Sequence, residues 1–226
     1  MNFEGIIAEL QAYGNSTSID GMSRFGINPD KVWGVKIPVL RKMAKKIKKN
    51  HKLGQQLWDF GYRETMILAT MVSNPEEVTE NQMETWVLSP YFTYWEIVDQ
   101  TCMNLFSLTK YAYKKAFEWS NREEEYVKRA AFALMAVLAW KDKNASDEKF
   151  LSFFPLIRSE STDERNDVKK AVNWALRQIG KRNQFLNTKT LELAKQIQEI
   201  DSKSARWIAK DAIKELENDS VQSRLG

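Results

Sequence analysis

Apolar residues recur along most of the chain at the three-to-four-residue spacing of amphipathic α-helices, and strand-like alternation is missing. The segment 14–35 holds four glycines and is predicted to be irregular. The apolar pattern predicts helices at about residues 2–13, 37–49, 52–60, 63–73, 79–88, 94–106, 110–120, 123–140, 147–159, 164–181, 188–199 and 203–217.

Several predicted helices begin with a capping signal. A Ser or Thr followed three residues later by Glu or Gln can form a capping box with the helix N-terminus. Pro38 fits the first turn of the second helix, where no amide hydrogen is needed. The capping boxes are predicted at Thr79/Gln82, Thr93/Glu96, Ser120/Glu123 and Ser161/Glu164.

Three segments of the second half of the chain superpose when Val127, Val168 and Ile208 are aligned, with steps of 41 and 40 residues. They are YVKRAAFAL (126–134), DVKKAVNWAL (167–176) and WIAKDAIKEL (207–216). A period of about 40 residues with paired helices is typical of HEAT-like repeats. A generic amphipathic pattern is the alternative. The sequence therefore predicts one all-α domain over residues 1–226, a HEAT-like solenoid with a concave basic groove. Its predicted parts are an N-terminal helix and irregular segment at about 1–35, stacked helical pairs at 36–217 and a tail at 218–226.

Composition removes several classes of chemistry. One Cys rules out an internal disulfide framework, and one Cys with one His is a poor basis for a zinc site. The one histidine, His51, lies in the basic stretch KKNHKL and is poorly placed for a Ser-His-Asp triad, and no glycine-rich phosphate loop occurs. No apolar run approaches the roughly 20 residues of a membrane span. These features predict a cytoplasmic protein with no cofactor, no metal and no membrane partner. Nothing in the sequence indicates an oligomer, so a monomer is expected.

Charge points to a polyanionic partner. The formal net charge is +4, and nine Lys or Arg residues occur between Lys31 and Lys52 without any Asp or Glu. A solvated helix face is the ordinary meaning of such a run. The lack of a compensating acid favours a phosphate-facing patch.

Two predicted helices place unusual residues opposite their apolar stripes. Trp174 projects among Lys170, Arg177 and Lys181, a mixture of aromatic and basic residues that nucleic-acid surfaces use. A neighbouring helix covering the ring is the alternative. Arg129 projects away from the stripe of 123–140, where it is either a phosphate contact or a plain exposed arginine.

The stretch YFTYWEIVDQTC (91–102) places a carboxylate in an aromatic surrounding. Glu96 is accounted for by the predicted cap on Thr93, whereas Asp99 lies one helical turn after Trp95 on a stripe with Cys102 and Phe106. A buried acid needs a partner. That partner is either a structural Arg or Lys, or a cation that arises in a substrate.

At these positions the chain resembles the AlkD-type DNA alkylation-repair glycosylases, a family of HEAT-like repeat proteins. The likeness runs from about residue 20 to 217. It is carried by MSRFGINPDKVWGVKIPVLRKMAKK (22–46), YWEIVDQTCMNLF (94–106), EEYVKRAAFALMAVLA (124–139) and VKKAVNWALRQIGKRN (168–183).

The resemblance implies a monofunctional DNA glycosylase of base excision repair that acts on double-stranded DNA and removes positively charged alkylated purines, such as 3-methyladenine and 7-methylguanine. It implies that Trp95 and Asp99 are the catalytic pair, that Trp174 contacts the sugar–phosphate backbone, and that Arg129 contacts DNA near the lesion. Phe25 occupies the position of a family tyrosine, so a role for that hydroxyl is lost here. The implied location is cytoplasmic, at the nucleoid when bound to DNA.

Two alternatives stay open. A non-catalytic repeat protein would bind damaged or branched DNA without breaking the glycosidic bond. A peptide-binding solenoid would have no affinity for DNA at physiological salt.

Overall fold

A computed structural model describes residues 2–24, 27 and 29–225. Within those residues the secondary structure is helical, with short 3₁₀ segments at Pro29–Lys31 and Phe106–Leu108 and no strand. The α-helices are α1 Phe3–Ala12, α2 Ser16–Ser23, α3 Ile37–Ile47, α4 His51–Phe60, α5 Arg63–Val72, α6 Glu80–Val87, α7 Trp95–Asn104, α8 Ala112–Ser120, α9 Glu125–Lys141, α10 Asp147–Leu151, α11 Phe154–Glu160, α12 Asn166–Gly180, α13 Gln184–Gln198, α14 Lys203–Leu216 and α15 Asp219–Gln222.

Two predicted element boundaries were wrong for identifiable reasons. Helix α2 forms inside the segment predicted to be irregular, because the Asn15 side chain accepts the Ser18 amide at 2.9 Å and caps it. The predicted helix 147–159 is broken into α10 and α11, with Pro155 in the first turn of α11. Proline is tolerated there but would interrupt the hydrogen bonds of a continuous helix.

Only one of the predicted capping boxes begins a helix as expected. Thr79 caps α6 by accepting the Gln82 amide at 3.1 Å, and Pro38 lies in the first turn of α3. The other three predictions were wrong, because α7, α9 and α12 begin after Tyr94, Glu124 and Arg165, none of which makes a side-chain cap.

The chain forms two compact units, residues 1–110 and 111–226. In the first unit α5 packs against α3, α4 and α7, and Trp58 stacks on Trp86 with ring centroids 3.9 Å apart. In the second unit α12 packs against both α9 and α14. The single domain predicted over 1–226 stays a prediction, and the predicted tail contains α15.

The three repeated segments lie on α9, α12 and α14, and the residues used to align them are all buried. The all-α, HEAT-like repeat prediction is therefore confirmed at the level of the elements. Helix α9 differs from the other two because every residue from Val127 to Ala139 is buried. The projection predicted one apolar stripe, but α8 and α12 cover α9 on more than one side.

Candidate functional site

Trp95 is the first residue of α7, and Asp99 follows one turn later. Residues four apart are neighbours on a helix surface, so the indole and the carboxylate share one side of α7. Both side chains are half-buried, whereas Cys102, further along the same stripe, is fully buried. Phe106 is also fully buried but lies in the 3₁₀ segment after α7. The stripe is therefore accessible at the end that carries Trp95 and Asp99.

Glu96 does not close a capping box with Thr93. Its carboxylate accepts from Arg63 Nε at 2.6 Å and from Arg63 Nη2 at 2.7 Å, a bidentate pair in which both side chains are buried. A guanidinium fork offers two charge-assisted hydrogen bonds, whereas a cap offers one. The predicted cap was wrong, but its consequence holds: Glu96 has a structural role that is separate from Asp99.

Glu64 extends this buried network to the segment before α3. Its carboxylate accepts the backbone amides of Trp33 at 3.0 Å, Gly34 at 3.0 Å and Val35 at 3.1 Å. Arg63 Nη1 donates both to Glu64 Oε1 at 3.1 Å and to the Val35 carbonyl at 3.0 Å. The network thus fixes residues 33–35 and the start of α7 against the start of α5.

Burial works against the charged form of Arg63, but the hydrogen bonds and charges of Glu96 and Glu64 more than offset it and raise the arginine pKa. Burial also raises the pKa of the neighbouring Tyr94 hydroxyl. The Arg63 guanidinium at the start of α5 therefore stays charged around neutral pH. Arg63 and Glu64 are not among the residues predicted from the sequence. The available signal was a charged pair that opens a helix whose following residues are nearly all apolar.

We predict that Gly34→Ala lowers the free energy of unfolding by at least about 2 kcal/mol. Gly34 has a φ of +80°, and a Cβ there would lie 2.2 Å from the Asn15 carbonyl oxygen. Urea denaturation of wild type and variant measures the difference.

Gly21→Ala is the matched control, because a Cβ at Gly21 meets nothing within 4 Å and the residue lies within α2. Alanine should raise the stability at that position by about 0.5–1 kcal/mol. Equal effects of the two substitutions would contradict the account of Gly34.

Arg129 lies on α9 in the second unit, and its position differs from the outward one that the sequence indicated. Its side chain is only 5% exposed, and Nη1 donates to the Asp167 carbonyl at 2.5 Å. The difference follows from the packing of α12 against α9. Its predicted role as a contact to DNA stays a prediction.

Helix α12 carries the remaining predicted DNA-binding residues of the second unit. Trp174 is half-buried and Lys170 is exposed. Arg177 forms ion pairs with Glu215 and, at 3.3 Å, with Asp211, and Lys181 Nζ lies 2.6 Å from Glu215 Oε1. These α14 carboxylates compensate two of the three cations around Trp174, which sequence projection of a single helix could not anticipate.

All nine basic side chains between Lys31 and Lys52 are exposed, as a phosphate-facing or simply solvated patch requires. Lys31 Nζ lies 4.5 Å from the Tyr91 ring centroid, and Lys46 approaches Glu9 at 3.7 Å. Lys49 donates to the Met71 and Ser73 carbonyls, and burial lowers its pKa. Phe25, the residue in the place of the family tyrosine, lies outside the described residues.

Among the described residues, no group of three or more His, Cys, Asp or Glu side chains could hold a metal ion. In the same part of the chain, no helix has the length and apolar character to cross a membrane.

The paired helices and the repeat define a helical-repeat protein of the HEAT-like class. A family model for DNA alkylation repair enzymes matches residues 6–216. The chain belongs to this family of DNA alkylation repair enzymes.

Of the following two solved structures, the first supports the fold. One, from "a new family of proteins related to the HEAT-like repeat DNA glycosylases with affinity for branched DNA structures", has a TM-score of 0.83 and 22% identity, covering 100% of this chain and 97% of that chain. A designed armadillo repeat protein in complex with a peptide has a TM-score of 0.33 and 14% identity, covering 82% of this chain and 88% of that chain. No curated protein matches the chain.

Proposed function

We propose that the protein is a monofunctional DNA glycosylase that hydrolyses the N-glycosidic bond of positively charged alkylated purines. The observation that carries this proposal is the pairing of Trp95 and Asp99, one turn apart and both half-buried at the accessible end of their stripe on α7. Membership in the DNA alkylation repair family supports the same assignment.

The chemistry needs few groups. Alkylation at N3 or N7 places a positive charge on the purine, so the base leaves as a neutral molecule and needs no general acid. The C1′–N bond breaks through a sugar with oxocarbenium character, and water adds to C1′ and loses a proton. The Asp99 carboxylate stabilises the sugar cation and orients the water, and the Trp95 ring contributes a cation–π interaction.

DNA binding is assigned to residues of α9 and α12. In the proposal, Trp174 contacts the sugar–phosphate backbone and Lys170 a phosphate, with Arg129 near the lesion. Arg177 and Lys181 contribute through a field that Glu215 reduces. Phe25, without a hydroxyl, contributes packing or stacking.

A second candidate is binding of branched DNA without base release. The structural neighbour with a TM-score of 0.83 belongs to proteins described by their affinity for branched DNA structures. In this case the DNA-binding residues keep their assigned roles, and Asp99 has a structural role that stabilises the fold.

The test is a single-turnover assay with a duplex that contains 7-methylguanine, together with binding measurements on this duplex and on a four-way junction. Release of the free base above the protein-free rate supports the glycosylase. Salt-dependent binding to the junction without base release would select the second candidate. No affinity for either DNA would contradict both.

A further inference from the structure

Side-chain contacts join the successive repeat helices of the second unit. Arg129 donates to the Asp167 carbonyl, and Asn173 donates to Asp211 Oδ2 at 2.6 Å, each across 38 residues. Lys169 lies over the Trp207 ring at 5.0 Å, also across 38 residues. These contacts join α12 to α14 at the same sequence separation at which α9 is joined to α12, although the repeat steps of 41 and 40 residues shift equivalent positions by one residue.

One basic position recurs in all three copies. The repeat steps of 41 and 40 residues relate Arg129 to Lys170 and Lys170 to Lys210. Arg129 is buried, whereas Lys170 and Lys210 are exposed. The position assigned to DNA contact on α9 and α12 is thus basic on α14 as well.

Lys210 belongs to a continuous stripe on α14. Lys203, Trp207, Lys210 and Lys214 are spaced at i, i+4, i+7 and i+11, so they lie on one side of the helix, and all four side chains are exposed. We call these four residues the α14 stripe.

The acids of α14 do not neutralise this stripe. Asp211 accepts from Asn173, and Glu215 pairs with Arg177 and Lys181, so both carboxylates are turned toward α12. Arg206, beside the stripe, is paired with Asp201 at 2.9 Å. Between Lys203 and Lys214 this side of α14 therefore carries positive charge that no carboxylate of α14 neutralises. The next acid along this side, Glu217, lies at the C-cap of the helix.

The α14 stripe contains an aromatic residue, Trp207, in addition to its three lysines. Its side chain is 42% exposed, which is unusual for the largest apolar side chain, and Lys169 of α12 approaches its ring. Solvent-exposed indole among ammonium groups is the combination that binds sugar–phosphate backbone, because the lysines pair with phosphates and the ring packs on a sugar or a base.

We propose that the α14 stripe is an additional contact surface for the sugar–phosphate backbone of DNA, continuing the basic position that runs from Arg129 through Lys170. The proposal rests on the proposed function only in taking DNA as the partner. It does not depend on base release.

The first experiment measures the charge contribution. The affinity of the full-length protein for a fluorescent duplex is measured between 50 and 200 mM KCl by anisotropy. The triple variant Lys203→Gln/Lys210→Gln/Lys214→Gln should bind more weakly, and the slope of log K against log salt should fall by about 2–3, or about 0.9 per lost phosphate contact.

A matched control removes the same number of positive charges elsewhere in this unit. Arg158, Lys143 and Lys195 are exposed and lie outside the stripe. Their replacement by Gln should change the slope by less than about 1. An equal slope change in the two triple variants would overturn the proposal, because net charge alone would then explain the binding.

The second experiment compares two exposed tryptophans. Trp207→Ala should weaken DNA binding about tenfold, the loss of one ring stacked on a nucleotide. Trp140 is 52% exposed and has Lys141 at 5.8 Å, so Trp140→Ala is the matched control and should stay within about twofold of wild type.

The outcomes separate this proposal from the glycosylase. If the wild-type protein releases no base but the stripe variants bind DNA more weakly than wild type, the proposed role of the α14 stripe is supported. Only the glycosylase proposal is then overturned. If the wild-type protein releases the base but the stripe variants bind DNA as tightly as wild type, only the proposed role of the α14 stripe is overturned.

Discussion

Replacing Asp99 by Asn is expected to slow the release of 7-methylguanine from a duplex at least about 100-fold under single-turnover conditions. Asparagine keeps the size and the polarity of the side chain but removes the negative charge that, in the proposed mechanism, stabilises the sugar cation. A charge fixed in place before the reaction acts mainly on the transition state, so the effect should appear in the rate at saturating protein. Chromatography of the released base measures the rate.

The control for net charge is Asp59→Asn, which removes an exposed carboxylate from α4 in the same unit. Its rate should stay within about twofold of wild type, as expected for a surface substitution. Asp99→Asn should also keep its melting temperature. A loss of several kcal/mol of stability in Asp99→Asn would show that the carboxylate belongs to a structural ion pair, which is the alternative that the sequence left open.

Replacing Arg63 by Met is expected to lower the free energy of unfolding by about 3–5 kcal/mol. Methionine fills a similar volume, so the loss comes mainly from the carboxylate of Glu96, which stays buried without its bidentate partner. Glu64 keeps its three backbone amides, but the Val35 carbonyl loses a donor. Urea denaturation gives the free energy of unfolding.

Two further variants test this explanation. Arg41→Met removes an exposed arginine from α3 and should change the stability by less than about 0.5 kcal/mol. The double variant Arg63→Met/Glu96→Leu should recover part of the lost stability, because neither charge is then left buried. A loss below about 1 kcal/mol in Arg63→Met would contradict a structural role for the network.

The helices were predictable because their signals are local. The spacing of apolar residues identified nearly every long helix, and the alignment on Val127, Val168 and Ile208 identified the repeat whose residues pack α9, α12 and α14 together. The cap at Thr79 was predictable for the same reason, since donor and acceptor are three residues apart.

The candidate site was predictable only in part. Trp95 and Asp99 share a side of α7 because of helical geometry, so their proximity required no knowledge of other helices. The partner of Glu96 is 33 residues away, and the partners of Arg177 are 34 and 38 residues away, so single-helix reasoning assigned Glu96 to a cap and left Arg177 without acids.

The sequence by itself determined the all-α class, the repeat and the pair on α7, because each depends on residues within one or two helical turns. Only the tertiary structure decided that α9 is buried on all sides, that Arg63 holds Glu96 and Glu64, and that the acids of α14 face α12. The physical reason is that burial and ion pairing depend on the neighbouring helix. The charged side chains of the neighbouring helix determine which ion pairs form. The projection of a single helix contains no information about that neighbour.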